Sequence, residues 1–327
     1  MKRTYTIIIQ QIMLFLFAGI SFSCIREGLD MCPVEPDPNP VPYEVRFSFD
    51  YPQKDSESGI GFDPAEVETI EIYVFNEDNK YIGTFTDDNP HIADKNYFFT
   101  VPLDPGSYNF IVYGNLKDCY RTEPVLLQSG ITHLDDINYY YTEVMDNRIV
   151  NHPKHLFYSS LYNAIVTKSS SHYTLPLVRD TYVLNIIAEG LPTGYDDYQF
   201  AITDTNWKYT FENSFLPCEE LEYVQNCTFE PSLNQYGASF TTLRLDRDRY
   251  PELKLYNKKS GELIYRDALI PLILKIEEQG GKVDFTKMYE FDIHLLFETD
   301  PLTGNLTVDI SINGWSVIEK DVIIELG

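Results

Sequence analysis

FDIHLLFETDPLTGNLTVDISI, residues 291–312, decides the fold class. Phe291, Ile293, Leu295 and Phe297 alternate along its first half. Leu306, Val308, Ile310 and Ile312 alternate along its second half. A period of two marks a strand with one buried face. The polar break between the halves, which contains Pro301 and Gly304, marks the turn of a long hairpin.

The same pattern runs upstream. In YEVRFSFDYP (43–52), Val45, Phe47 and Phe49 alternate with Arg46, Ser48 and Asp50. VETIEIYVFNEDNKYIGTFT (67–86) reads as strand, polar turn, strand. NYFFTVPLDPGSYNFIVYGNL (96–116) repeats that plan around Asp104-Pro105-Gly106. Residues 131–160 are less regular, with a short helix expected near HLDDINYYY (133–141). HLFYSSLYNAIVTKSSSHYTLPL (155–177) returns to strand and is punctuated by Ser169-Ser170-Ser171. A second series follows in TYVLNIIAEGLP, YQFAITD, YTFEN, GASFTTLRL and LKLYNKKSGELIYRDALI. Short strands with turn signals and few helical segments predict an all-β protein of two β-sandwiches. The expected division is 43–170 for the first sandwich and 171–327 for the second.

The N-terminus reads differently. Lys2 and Arg3 precede a mostly apolar run from Ile7 to Phe22, the shape of a signal peptide over residues 1–23. The run is short for a membrane span of roughly 20 residues. Ile20-Ser21-Phe22-Ser23-Cys24 resembles a lipobox, with a small residue before the cysteine and Ser21 where leucine is usual. Cys24 is therefore the expected lipidation site; the other reading places it in a disulfide. Each buried methylene contributes roughly 0.8 kcal/mol, so two or three acyl chains hold a protein on a bilayer almost permanently. Residues 24–42, rich in Pro, Asp and Glu, read as an extended tether.

Five cysteines are an odd number. With Cys24 lipidated, Cys32, Cys119, Cys218 and Cys227 remain. A local Cys218–Cys227 bridge would close a loop of about ten residues, worth roughly 2.5–3 kcal/mol in the chain-entropy model. By elimination Cys32 would then join Cys119. The other reading leaves one or both pairs reduced and buried.

The formal charge is −25. Such a surface opposes nucleic-acid binding, which needs cations against phosphate, and gives no attraction to anionic lipid. No phosphate loop, zinc-protease helix, nucleophile elbow or calcium loop is present in the sequence. No catalytic, cofactor or metal residues are assigned. His152 and His155 flank Pro153 and read as exposed loop residues rather than ligands on a helix. Asp246 and Asp248 alternate with Arg247 and Arg249 and read as surface ion pairs; residues 76–80, NEDNK, read as a hairpin turn. The 25 tyrosines fit half-buried strand positions, or a surface that stacks sugars or contacts protein.

Taken in order, several pieces resemble the FimB-type fimbrial anchoring subunits of Bacteroidales, lipoproteins related to the fimbrillins. They are Cys24 and Cys32, IEIYVFNEDNKYIG, VPLDPGSYNFIVYGNL, LFYS, LPLVRDTYVLNIIAEGLP and ISINGWSVIE. The resemblance implies two transthyretin-like β-sandwiches and a non-enzymatic outer-membrane lipoprotein, surface-exposed at the base of a fimbria. It implies fimbrillin subunits as partners, engaged by β-strand addition. An anchor limits fibre growth by keeping its own first strand in place, and YEVRFSFDYP is the expected strand. The apolar end DVIIEL (321–326) is expected either to complete its own sheet or to be donated. Two other classes stay open: a lipid-anchored glycan-binding protein, marked by exposed aromatics on one sandwich face, and a surface hydrolase, marked by two carboxylates roughly 5–9 Å apart in a cleft.

Overall fold

Side chains alternate across a strand, and β1 (Glu44–Asp50) shows the consequence: Val45 and Phe47 are fully buried while Arg46 faces outward. The computed structural model describes residues 43–191, 198–299 and 306–320. Cys24, Cys32 and the segment 321–326 lie outside them.

After β1 come β2 (Ile70–Asn76), β3 (Tyr81–Asp87), β4 (Phe99–Pro102), β5 (Gly106–Gly114) and the short helix α1 (Leu116–Cys119). Then follow β6 (Tyr120–Glu123), β7 (Asn138–Tyr141), β8 (Arg148–Ile149), β9 (Phe157–Val166), β10 (Ser171–Pro176) and β11 (Val178–Arg179). The expected helix near 133–141 is a single 3-10 turn, Leu134–Asp136, running into β7. The first sandwich packs the sheet β10-β1-β4 against the sheet β11-β9-β5-β2-β3. Phe47 meets Phe110 edge-on between them, 4.9 Å between ring centroids. Every residue of β2 from Ile70 to Phe75 is buried. Its outer face is covered as well, by Phe211, whose ring lies 4.8 Å from Tyr73. Coverage of both faces explains the near-continuous apolar run IEIYVF.

The later strands are β12 (Thr181–Glu189), β13 (Tyr198–Asp204), β14 (Lys208–Thr210), β15 (Leu221–Asn226), β16 (Thr228–Glu230) and β17 (Gln235–Leu243). They continue with β18 (Glu252–Asn257), β19 (Glu262–Ala268), helix α2 (Leu269–Glu278), β20 (Glu290–Thr299), β21 (Leu306–Ile312) and β22 (Trp315–Lys320). The sheet β16-β17-β12-β20-β21-β22 faces the sheet β19-β18-β13-β15-β8. The expected hairpin is β20 and β21, with Phe297 opposite Val308 and Leu295 opposite Ile310. Helix α2 differs from the strand-like reading that ended at DALI. Leu269, Ile270, Leu272, Ile273 and Ile276 are buried on it. Pro271 lies in its first turn, where backbone N–H groups have no intrahelical partner.

The two strand series interlock. Ser171–Pro176 pair with β1 and Val178–Arg179 with β9, so the sheets of the first sandwich run on to Arg179, past residue 170. β8 joins the second sandwich beside β15, and β14 returns to β7 in the small sheet β14-β7-β6. The segment after β1 also crosses over: Ile60 bridges to Met288, and Lys54 pairs with Glu290 at 2.9 Å. Gly59 is needed there. Its φ is +72°, and a Cβ would sit 2.0 Å from the carbonyl oxygen of Glu290.

Candidate functional site

The slot that holds β1 is the feature a strand-exchanging protein would use. β1 is the central strand of its sheet. Val45 to Asp50 run parallel to Ser171 to Pro176, and Glu44 to Phe47 run antiparallel to Pro102 to Phe99. The backbone is also tied at both ends: Leu103 N–H donates to Tyr43 O at 2.9 Å, and Leu177 N–H donates to Asp50 O at 2.7 Å. Phe47 stacks on Tyr173 of β10 at 6.3 Å, in addition to its contact with Phe110. Burying Val45 and Phe47 stabilises the occupied slot by roughly 1.5–3 kcal/mol each. On the outer face, Ser48 Oγ lies 3.0 Å from His172 Nε2 and 2.9 Å from Thr174 Oγ1.

β4 ends at Phe99, opposite Phe47, so the β4-side edge of β1 from Ser48 to Asp50 has no ladder partner among the described residues. A cleft of about 600 Å³ opens there, lined by Phe49, Asp50, Tyr51, Gln53, Asp94 and Tyr97. Phe49 and Tyr97 stack at 6.5 Å, and Tyr97 Oη donates to Asp87 at 2.7 Å.

A buried polar junction lies between the two sandwiches. The Arg179 side chain is fully buried. It donates to Glu66 Oε2 at 3.1 Å, to Thr181 O at 3.0 Å and to Tyr289 O at 3.2 Å, and it lies 5.3 Å from the centre of the Tyr289 ring. Asp180 accepts from Asn213 Nδ2 at 2.5 Å. Burial raises its carboxyl to about 6, with the Arg244 charge opposing. His155 Nδ1 sits 2.8 Å from Thr181 Oγ1. Burial, then the charges of Arg179 and Lys54, lower its pKa to about 3. His155 is therefore neutral, and its 4.0 Å approach to Glu66 is no ion pair at neutral pH.

The structure bears on several sequence expectations here. His152 is exposed, but His155 is largely buried; His152 Nδ1 accepts from Thr241 N–H at 3.1 Å while His155 faces Thr181, so the two do not converge. Arg247 and Arg249 pair outside their own motif, with Glu277 at 2.7 Å and Asp204 at 2.5 Å. Asn76 Oδ1 accepts from the N–H groups of Asp78 and Lys80, the hydrogen bonding of a turn. The tyrosines go deeper than half-buried positions: Tyr113, Tyr139, Tyr141, Tyr209, Tyr223, Tyr236 and Tyr289 have under 2% of their surface exposed. Tyr113, Tyr139 and Tyr209 meet Phe211 and Asn213 from segments far apart in sequence, so no local pattern announces that cluster.

Cys218 and Cys227 are free thiols, against the expected local bridge. They flank opposite ends of β15. Cys218 Sγ donates to Thr205 O just beyond the Asp204–Leu221 pair, whereas Cys227 N–H donates to Tyr198 O at the other end of β13. A strand of six residues separates them, about 20 Å at 3.3 Å per residue, and a disulfide needs Cα atoms within about 7 Å. Cys119 is buried at the end of α1; its expected partner Cys32 is outside the described residues.

Comparison with known proteins places this geometry. The chain is 23% identical over 275 residues to the minor fimbrium anchoring subunit Mfa2 of Porphyromonas gingivalis, covering 79% of this chain and 81% of that one. The solved structure of the fimbrial anchor protein Mfa2 from the same organism superposes with a TM-score of 0.70 at 19% identity, over 85% of this chain and all of that chain. A candidate polysaccharide-binding protein of Bacteroides thetaiotaomicron superposes at 0.69 with 20% identity, over 85% of this chain and 99% of that one. A family model described as fimbrillin-A associated anchor proteins Mfa1 and Mfa2 matches residues 29–321, nearly the whole length. The chain thus belongs to the family of fimbrillin-A associated anchor proteins.

Proposed function

We propose that this protein is a non-enzymatic lipoprotein of the outer membrane, exposed at the cell surface, that holds the base of a fimbria and limits its growth. The observation that carries the reading is the occupied slot. β1 is the first strand of the described residues and lies between β10 and β4 with Val45 and Phe47 buried. A subunit that elongates by strand addition must offer an unfilled groove, because an open sheet edge recruits a partner strand. A subunit that keeps its own strand in that groove ends the series. Fimbrillin subunits are the partners, engaged through strand complementation elsewhere on the surface. Cys24, at the far end of the tether 24–42, carries the lipid that makes attachment permanent.

Cells carrying Cys24→Ala test this. The protein should leave the outer-membrane fraction or stay as unprocessed precursor, and fimbriae should be shed into the medium. Normal processing, membrane retention and normal fimbriation would refute the lipid anchor. A second reading, glycan binding, draws on the cleft beside Ser48–Asp50, whose Phe49, Tyr51 and Tyr97 could stack on sugar rings. Calorimetric titration with capsular and host oligosaccharides, repeated on Tyr97→Ala, separates the two: saturable binding lost in the variant favours a glycan site.

A further inference from the structure

We propose that β1 is a mechanical clamp loaded in shear, the element through which tension on the N-terminal tether enters the folded body. The direction of load rests on the anchoring role above; the clamp itself is a property of the described fold.

The registers define the geometry. β1 runs from Val45, level with Ser171, to Asp50, level with Pro176. β10 is parallel to it, and β11, antiparallel to β9, leads through Asp180 directly into β12. β12 ends at Glu189, level with Gln235, where the exposed turn between β16 and β17 carries Leu233. Tyr43 therefore lies at one end of the parallel β1–β10 ladder, and the chain toward Leu233 leaves from the other end, after Pro176. Tension between Tyr43 and Leu233 loads that ladder from opposite ends, in shear.

Sliding β1 breaks its ladders to β10 and β4 together. Six residues are paired on one side and four on the other. A slip of one residue also turns Val45 and Phe47 from the core to the outer face, because side chains alternate. Beyond Asp50 the chain is held too, by Gln53 against Phe62, Ile60 against Met288 and Lys54 against Glu290. The parallel register supplies an internal control. Ser169, in the exposed turn before β10, lies at the same end of the sheet as Tyr43. Tension between Tyr43 and Ser169 opens the β1–β10 ladder one pair at a time, starting at Val45 and Ser171.

Single-molecule pulling on the isolated chain, with handles at Tyr43 and Leu233 or at Tyr43 and Ser169, tests the clamp. Forced unfolding reports the barrier to rupture. The force for releasing β1, identified by its contour-length gain, should be higher in the first geometry than in the second at equal loading rate, because rupture is concerted in the first and sequential in the second. Phe47→Leu should lower the first force, and the unsubstituted chain alone suffices if that variant folds poorly. Equal forces in the two geometries overturn the proposal. So does a first rupture, in the Tyr43–Leu233 geometry, that opens the second sandwich with β1 still paired. Neither result bears on fimbrial retention by cells, so failure of the clamp and failure of the anchoring role are told apart.

Discussion

Replacing Phe47 with alanine empties the centre of the β1 slot. The side chain has no exposed surface and touches Phe110 at 4.9 Å and Tyr173 at 6.3 Å between centroids. Truncating a buried Phe to Ala costs about 3–5 kcal/mol through lost transfer energy and the cavity left behind. In a body of this size 1 kcal/mol moves the melting temperature by about 2–4 °C, so a fall of about 10 °C is expected. The loss should be local as well as global. The amides of Leu103 and Leu177, which donate to Tyr43 O and Asp50 O, should lose hydrogen-exchange protection before the hairpin β20–β21 does. Ser48→Ala, one residue away on the outer face, should stay within about 0.5 kcal/mol. Calorimetry with site-resolved hydrogen exchange measures both. If Phe47→Ala costs under about 1 kcal/mol, or matches Ser48→Ala, β1 is not held by its buried face and the argument for a permanently filled slot fails.

Peptide mapping of non-reduced protein should find no Cys218–Cys227 bridge, and a Cys218→Ser/Cys227→Ser variant should melt close to the unsubstituted protein; an intact bridge would contradict the β13–β15 register. The pH response should carry two opposed signatures. His155, lowered from 6.5 to about 3, leaves the unfolded chain to bind a proton first, so its contribution is complete above about 6.5 and is lost as pH falls toward 3; His155→Gln should remove that loss. Asp180, raised from 3.8 to about 6, acts the other way: the folded chain keeps a proton that the unfolded chain gives up, so stability falls as pH rises across that window, and Asp180→Asn should flatten the fall. Denaturant melts of the three proteins between pH 3 and 7 check both signs.

Sequence alone determined which residues of a strand face the core. The alternation of Val45 with Phe47, and of Phe291 through Phe297, survives in the structure because a period of two is a local property of extended backbone. It also marked the turns at Asn76–Lys80 and Pro105–Gly106, where local hydrogen bonding and φ preferences act within a few residues. What only the tertiary structure decided is who pairs with whom. Ladder hydrogen bonds are made by backbone common to every residue, so nothing in YEVRFSFD names SHYTLP, over a hundred residues away, as its parallel neighbour. The same indifference hid the exchange of β8 and β14 between the two strand series. It let Cys218 and Cys227 look like a pair, because nearness in sequence becomes the full length of β15 once the chain is extended. Helix α2 and the buried tyrosines belong to the same class: their apolar character was legible, but the surfaces that cover them come from distant segments. Burial of Arg179 is decided last of all, since Glu66, Thr181 and Tyr289 meet around it only when both sandwiches are in place.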